Sequence, residues 1–162
     1  MARALIVGCG CRGRALGTRL AADGWAVRGT SRDPGRAEAI EAAGIEPAVA
    51  DPEWPGTVLD LIGDVAIVHW LLGSLESDSD AEEAIHGPRL ERLLERLVDS
   101  PVRGFVYEAA GGVEAANLER GAGLVRAAAE TWRIPVEIVV ADPADHDAWL
   151  AAMLAATRRL VT

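Results

Sequence analysis

Lysine is absent from this chain: all 16 basic residues are arginine. A GC-rich coding sequence would produce the same bias. The absence still has chemical force, because it removes every mechanism that needs a lysine from this chain. Tyrosine and phenylalanine occur once each, and cysteine only twice. The two thiols, Cys9 and Cys11, are one residue apart. That gap suits no low-strain disulfide, and two ligands are too few for an intrachain structural zinc site. Positive charge is also in deficit, with a formal net charge of −9 and a pI near 4.8. General nucleic-acid binding needs a basic face that displaces counterions, so that class is excluded. A phosphorylated small molecule needs only local positive charge and remains open. No apolar run reaches the length of a membrane span, and the sequence enters a strand directly instead of a signal peptide. The expectation is a cytoplasmic protein.

What is present is a chain of 162 residues, half of them hydrophobic, enough for one domain, 1–162, with a real core. Its most informative stretch is Val7-Gly8-Cys9-Gly10-Cys11-Arg12-Gly13-Arg14-Ala15-Leu16-Gly17. It follows the apolar segment Ala4-Leu5-Ile6-Val7 and opens a segment with helical spacing. Alone, Gly-x-Gly-x-x-Gly is a glycine-rich turn. Directly after a first strand it becomes a credible dinucleotide site. Gly8 would allow the tight turn, Gly10 would let the backbone approach a pyrophosphate, and Gly13 would let helix and sheet pack closely. The helix start then offers unpaired N–H groups, those of Cys11 and Arg12 among them, to the phosphates. A thiol at a helix start can have a lowered pKa; the plainer reading makes both cysteines small apolar fillers.

The remainder alternates short apolar strands with amphipathic segments, the signature of a parallel sheet covered on both faces. Strands are expected at 3–7, 26–30, 46–50, 65–71, 102–108 and 136–141. Helices are expected at 11–23, 34–43, 57–62, from Pro88 through Leu97, at 115–132, and from Asp142-Pro143 onward. Leu90, Leu93, Leu94 and Leu97 form a core-facing stripe. The acidic stretch Glu76 to Glu83 reads as a solvated helix face or a mobile loop. These elements predict an α/β fold, a doubly wound parallel Rossmann sheet of order 3-2-1-4-5-6 with its ligand crevice beyond strands one and four.

A protein selecting NAD usually places an acid at the end of strand two. Here the sequence is Val27-Arg28-Gly29-Thr30-Ser31-Arg32-Asp33-Pro34. Ser31 and Arg32 suit a 2′-phosphate, since guanidinium is a bidentate phosphate partner. Asp33 comes late and suits capping of the next helix. NADP is therefore favoured over NAD, with Arg12 as a second positive charge.

The glycine loop, the segment 27–34, Asp51 after strand three, Val65-Ala66-Ile67-Val68-His69 and Phe105-Val106-Tyr107 together resemble the N-terminal half of the extended or atypical short-chain dehydrogenase/reductases. That group includes NAD(P)-dependent epimerases, dehydratases and NmrA-like proteins. The resemblance implies an adenine contact at Asp51, where an ordinary loop acid is the alternative. It also places Trp70, Leu71 and Leu72 along the adenine ribose and nicotinamide. The departures are larger. The family's catalytic group is a serine after strand five with a Tyr-x-x-x-Lys pair. This chain has Glu108-Ala109-Ala110-Gly111 in place of the serine, and Gly111 stands four residues after its only tyrosine, Tyr107. The C-terminal segments that form the family's substrate pocket are also expected to be missing. The glycine loop resembles that of methyltransferases too, but those commonly carry an acid just before it, where this chain has Ile6-Val7.

Two residues remain as catalytic candidates. Glu108, at the carboxyl end of strand five, could act as a general base, hold a ribose hydroxyl, or cap the next turn. His69 ends a buried strand, where a packed, hydrogen-bonded histidine is the commoner outcome. His86 reads as a turn residue without companion ligands, His146 as an opener of the last helix, and no metal site is expected. Trp70, Trp132 and Trp149 are read as core, and Trp54 as surface or pocket lining. Two functional readings follow. One is a dinucleotide-binding or regulatory module without the standard catalysis. The other is an atypical oxidoreductase or epimerase whose small-molecule pocket is completed by a partner subunit, for example in a homodimer.

Overall fold

The chain is described here by a computed structural model covering residues 2–161. Its strands are β1 (Arg3–Val7), β2 (Ala26–Ser31), β3 (Glu46–Val49), β4 (Ile67–Trp70), β5 (Gly104–Glu108) and β6 (Val136–Val139). Its helices are α1 (Cys11–Ala22), α2 (Ala37–Ala42), α3 (Pro55–Leu59), α4 (Ser79–Ile85), α5 (Pro88–Leu97), α6 (Ala115–Trp132) and α7 (His146–Val161). The strands form one sheet in the order β3-β2-β1-β4-β5-β6, every neighbouring pair parallel. This is the doubly wound Rossmann architecture, and the winding reverses between β1 and β4.

The strand pleat sends alternate side chains to opposite faces. Leu5 and Val7 of β1, Val68 and Trp70 of β4, and Phe105 and Tyr107 of β5 join one core with the buried residues of α3, α4, α5 and α6. Ala4, Ile6, Ile67 and Val106 join the other with those of α1, α2 and α7. Helices therefore cover both faces. The leucine stripe 90, 93, 94 and 97 is buried as its spacing requires.

Several expectations change in detail. The segment 34–43 divides into a 3-10 turn, Pro34–Arg36, and the short helix α2. The acidic stretch forms α4, N-capped by Asp78, whose side chain accepts a 2.8 Å bond from Ala81 N. The last helix starts at His146; Asp142 accepts from Ala144 N in the turn before it, and Asp145 accepts from Ala148 N in its first turn. Trp132 is exposed, not core. Trp54 is exposed as well, with the Arg89 guanidinium 5.5 Å from its ring centroid. Arg28 is spent away from the crevice, on Asp64, Glu46 and Leu61 O. Among the described residues no helix is long and apolar enough to cross a membrane.

Candidate functional site

The crevice lies at the switch point and encloses about 480 Å³, a usual size for a small-molecule site. The glycine loop forms its floor. Gly8 has φ +86°, and a Cβ there would lie 2.5 Å from Leu71 O, so the turn itself requires glycine. Cys9 N donates to Thr30 O, and Gly8 N to Thr30 Oγ1, which ties the loop to the end of β2. A Cβ at Gly13 would meet Gly8 O at 3.1 Å, the close helix–strand approach expected of it.

Gly10 behaves differently. Its φ is −84°, and a Cβ there would meet nothing within 4 Å. Neither the backbone conformation nor the packing of this chain asks for glycine at position 10. The open space in front of it is part of the crevice. Gly10 is also the N-cap of α1, with no side-chain capping bond and no acid in the first turn. The first-turn N–H groups therefore have neither an intrahelical nor a side-chain partner. They are uncapped donors at the positive end of the helix dipole, where negative charge is favoured.

The side walls carry charge. Arg12, Arg32 and Arg36 line the crevice, against the acids Asp33 and Glu76. In a chain of net charge −9 this is a local excess of positive charge. Ser31 Oγ accepts from Asp33 N at 3.1 Å, and Asp33 Oδ1 accepts from Gly35 N at 2.8 Å. Asp33 is thus the cap of the 3-10 turn. The Arg32 guanidinium donates to Glu76 O at 3.3 Å across the crevice mouth. Arg36 was not singled out from sequence. Its signal was its place four residues after Arg32, just beyond Pro34-Gly35.

Gly8, Gly10, Arg12, Ser31, Arg32, Leu71 and Leu72 thus come together in one crevice. Cys9 borders the crevice as well, with its sulfur buried against Gly29, where a Cβ would lie 2.6 Å from it, and burial pushes its thiol up to about 11. Others fall elsewhere. Cys11 is exposed and fills no core, which corrects the reading of both cysteines as fillers. Asp51 turns its own loop: Oδ1 accepts from Glu53 N, and its flanking residues Ala50 and Pro52 line the crevice instead. Trp70 is the clearest correction. The pleat sends it into the core beside Phe105, with ring centroids 6.2 Å apart, and it is fully buried. It does not line the crevice.

Both catalytic candidates are buried among protein partners. Glu108 accepts Gly73 N on Oε1 at 2.9 Å and Trp149 Nε1 on Oε2 at 2.8 Å. Burial raises its pKa, and these two bonds and the Arg12 charge oppose the rise. His69 Nε2 lies 2.8 Å from Thr157 Oγ1 on α7, and burial lowers its pKa to about 4. His86 and Tyr107 form a third buried set. Leu72 O can only accept, so His86 Nε2 donates to it at 2.8 Å, and the Tyr107 hydroxyl then donates to Nδ1 at 2.6 Å. This set pins Leu72 in the crevice wall. It also explains Gly121, where a Cβ would lie 1.9 Å from the Tyr107 hydroxyl. Sequence reasoning left His86 as a turn residue because the partner sits on another element.

The low His69 pKa sets a pH dependence. The unfolded chain takes up this proton near 6.5 and the folded chain only near 4. Between those values the unfolded state holds more protons, so His69 weakens folding as pH falls through that window. The full loss by pH 4 is about 3 kcal/mol. Burial lowers His86 too, with the same sign, whereas the raised Glu108 acts in the opposite sense. A His69→Phe comparison isolates the one group. Urea unfolding at pH 7 and pH 4 is expected to show a smaller acid loss in the variant, by about 3 kcal/mol. Equal losses in both proteins would contradict the assignment.

No protein-family model matches the chain, and no curated protein sequence matches it. Solved structures do resemble it. One is a short-chain dehydrogenase/reductase superfamily protein from Agrobacterium tumefaciens with bound NAD, 23% identical over 84% of this chain and 48% of that one, with a TM-score of 0.67. Another is BdcA (YjgI) from E. coli, 20% identical, covering 99% of this chain and 93% of that one, with a TM-score of 0.74. A third is a metagenomic short-chain oxidoreductase in complex with NADP, 21% identical, covering 96% and 90%, with a TM-score of 0.65. The chain spans about half the length of the first. At these identities the likeness establishes the fold.

Proposed function

We propose that this chain is a nicotinamide-dinucleotide-binding module, selective for NADP, that does not use the acid–base pair of the short-chain dehydrogenases. The observation that carries the reading is the glycine at position 10, which the chain's own structure does not need and which faces open crevice before an uncapped helix start. A diphosphate approaching the first-turn amides is the group that such a space fits. The NAD- and NADP-bound proteins of the same fold support the cofactor class. Arg32 and Arg36 beside Ser31 support the 2′-phosphate. The absence of lysine supports the missing pair. Engagement of Glu108 and His69 by buried protein donors and acceptors favours binding over catalysis by either.

A thermal-shift screen with NADP, NAD and S-adenosylmethionine tests the assignment. A ligand at about 100 times its Kd stabilises the fold by about 2.7 kcal/mol, which for a chain of this size is a rise of roughly 5–10 °C. NADP is expected to give the largest rise. Arg32→Ala is expected to weaken NADP about 10- to 100-fold, the loss of a charge-assisted phosphate contact, and to leave NAD nearly unchanged. Tighter binding of NAD than of NADP by the unaltered protein would overturn the selectivity.

A further inference from the structure

The dinucleotide fold has two mononucleotide halves, one on each side of the switch point. In this chain they are unequal. The crevice is lined from the glycine loop, the end of β2 and its 3-10 turn, the segment after β3, and the segment 71–76 after β4. No residue of β5, of β6 or of the loops that follow them lines it. We infer that the chain grips only the adenosine-diphosphate half of its dinucleotide and leaves the nicotinamide half in water, so that it binds oxidised and reduced cofactor alike. The inference rests on the reading of the crevice as a dinucleotide site.

The ends of β4 and β5 show why the crevice stops short of the second half. The backbones that follow these strands are laced together. Gly73 N donates to Glu108 Oε1 at 2.9 Å, Val113 N donates to Gly73 O at 2.9 Å, and Gly112 N donates to Ser74 Oγ at 3.2 Å. The two backbones touch so closely that neither glycine tolerates a side chain. A Cβ at Gly73 would lie 2.2 Å from Ala110 O, and one at Gly111 would lie 2.3 Å from Gly73 O. Trp149 occupies the other oxygen of Glu108 from α7. The N–H groups of Gly73, Gly112 and Val113 and both oxygens of Glu108 are thus already engaged within the chain. The amides and arginines that hold phosphate lie on the adenosine side. A module built this way reads the abundance of the phosphorylated adenosine group, and the redox state of the attached ring does not enter.

Titration calorimetry of the whole chain with NADP⁺, NADPH and 2′-phospho-ADP-ribose, which lacks nicotinamide, tests this. NAD⁺ and ADP-ribose form a parallel pair. The expected result is that the three phosphorylated ligands agree within about fivefold in Kd. NADPH fluorescence should keep its free-solution maximum when the protein is saturated. A gap above about fivefold between NADP⁺ and 2′-phospho-ADP-ribose, or between NADP⁺ and NADPH, overturns the inference and leaves the cofactor assignment standing. If neither NADP⁺ nor NAD⁺ binds, the cofactor assignment falls and the inference falls with it. If NAD⁺ binds tighter than NADP⁺, the 2′-phosphate argument fails alone, and the ratio of NAD⁺ to ADP-ribose decides the inference by the same criterion.

Discussion

Gly10→Ala is expected to abolish cofactor binding while leaving the fold nearly as stable as before. The two effects separate because the methyl group touches nothing in the protein, its nearest neighbours lying beyond 4 Å, but stands in the space in front of the α1 amides. The backbone at this position is extended with negative φ, which alanine adopts. Alanine is a poorer N-cap than glycine, so a loss of about 0.5–1 kcal/mol is expected in urea unfolding. A diphosphate pushed outward by a methyl group loses several charge-assisted bonds to backbone N–H groups together. Each is worth about 1.5–3 kcal/mol, so the Kd for NADP should rise at least about 100-fold. Gly8→Ala gives the contrasting result. It meets Leu71 O at 2.5 Å with φ +86° and is expected to unfold the loop. If Gly10→Ala binds NADP like the parent protein, no phosphate occupies that corner and only the architecture stands.

Glu108→Ala is expected to lower Tm by about 10 °C. The side chain is fully buried and accepts from two buried donors, Gly73 N and Trp149 Nε1. Removing it leaves both without partners, and each unmade bond costs about 1–3 kcal/mol. A chain of this length moves roughly 2–4 °C per kcal/mol. Glu108→Gln is the finer probe. Its carboxamide oxygen satisfies one donor, and its NH₂ group faces the other, donor against donor. It should lose about half as much as alanine. In a Trp149→Phe background the Gln substitution should cost less, because only Gly73 N then needs an acceptor, with a coupling of about 1 kcal/mol. A Glu108 that serves only as an acid or base would show no such coupling and little change in Tm.

The acceptor role of Glu108 shows where sequence reasoning stops. The residue was legible as a carboxylate at the end of β5, beside the crevice. Its two partners are 35 and 41 positions away in sequence, on the β4 loop and on α7. No local pattern announces them. Trp70 is a similar case. Strands buried on both faces read as continuous apolar runs, so alternation between polar and apolar residues gives no register. The pleat decided that Trp70 joins Val68 in one core while Ile67 joins the other. His86 looked like a turn residue because its partners, Tyr107 and Leu72 O, are supplied by β5 and the end of β4.

Local chemistry fixed what depends on neighbours along the chain: the strand–glycine loop–helix entry, the leucine stripe of α5, the α/β alternation and hence the strand order, and the arginine that follows Ser31. These follow from periodicity, φ preference and capping, which act over a few residues. Only the tertiary fold decided which polar groups remain free. It bound Glu108, His69 and His86 to partners far along the chain, and it left the first-turn amides of α1, after Gly10, uncapped. It also closed the β4 and β5 loops on each other. The physical reason is that a buried polar group must find its partner in space, whatever the distance along the sequence.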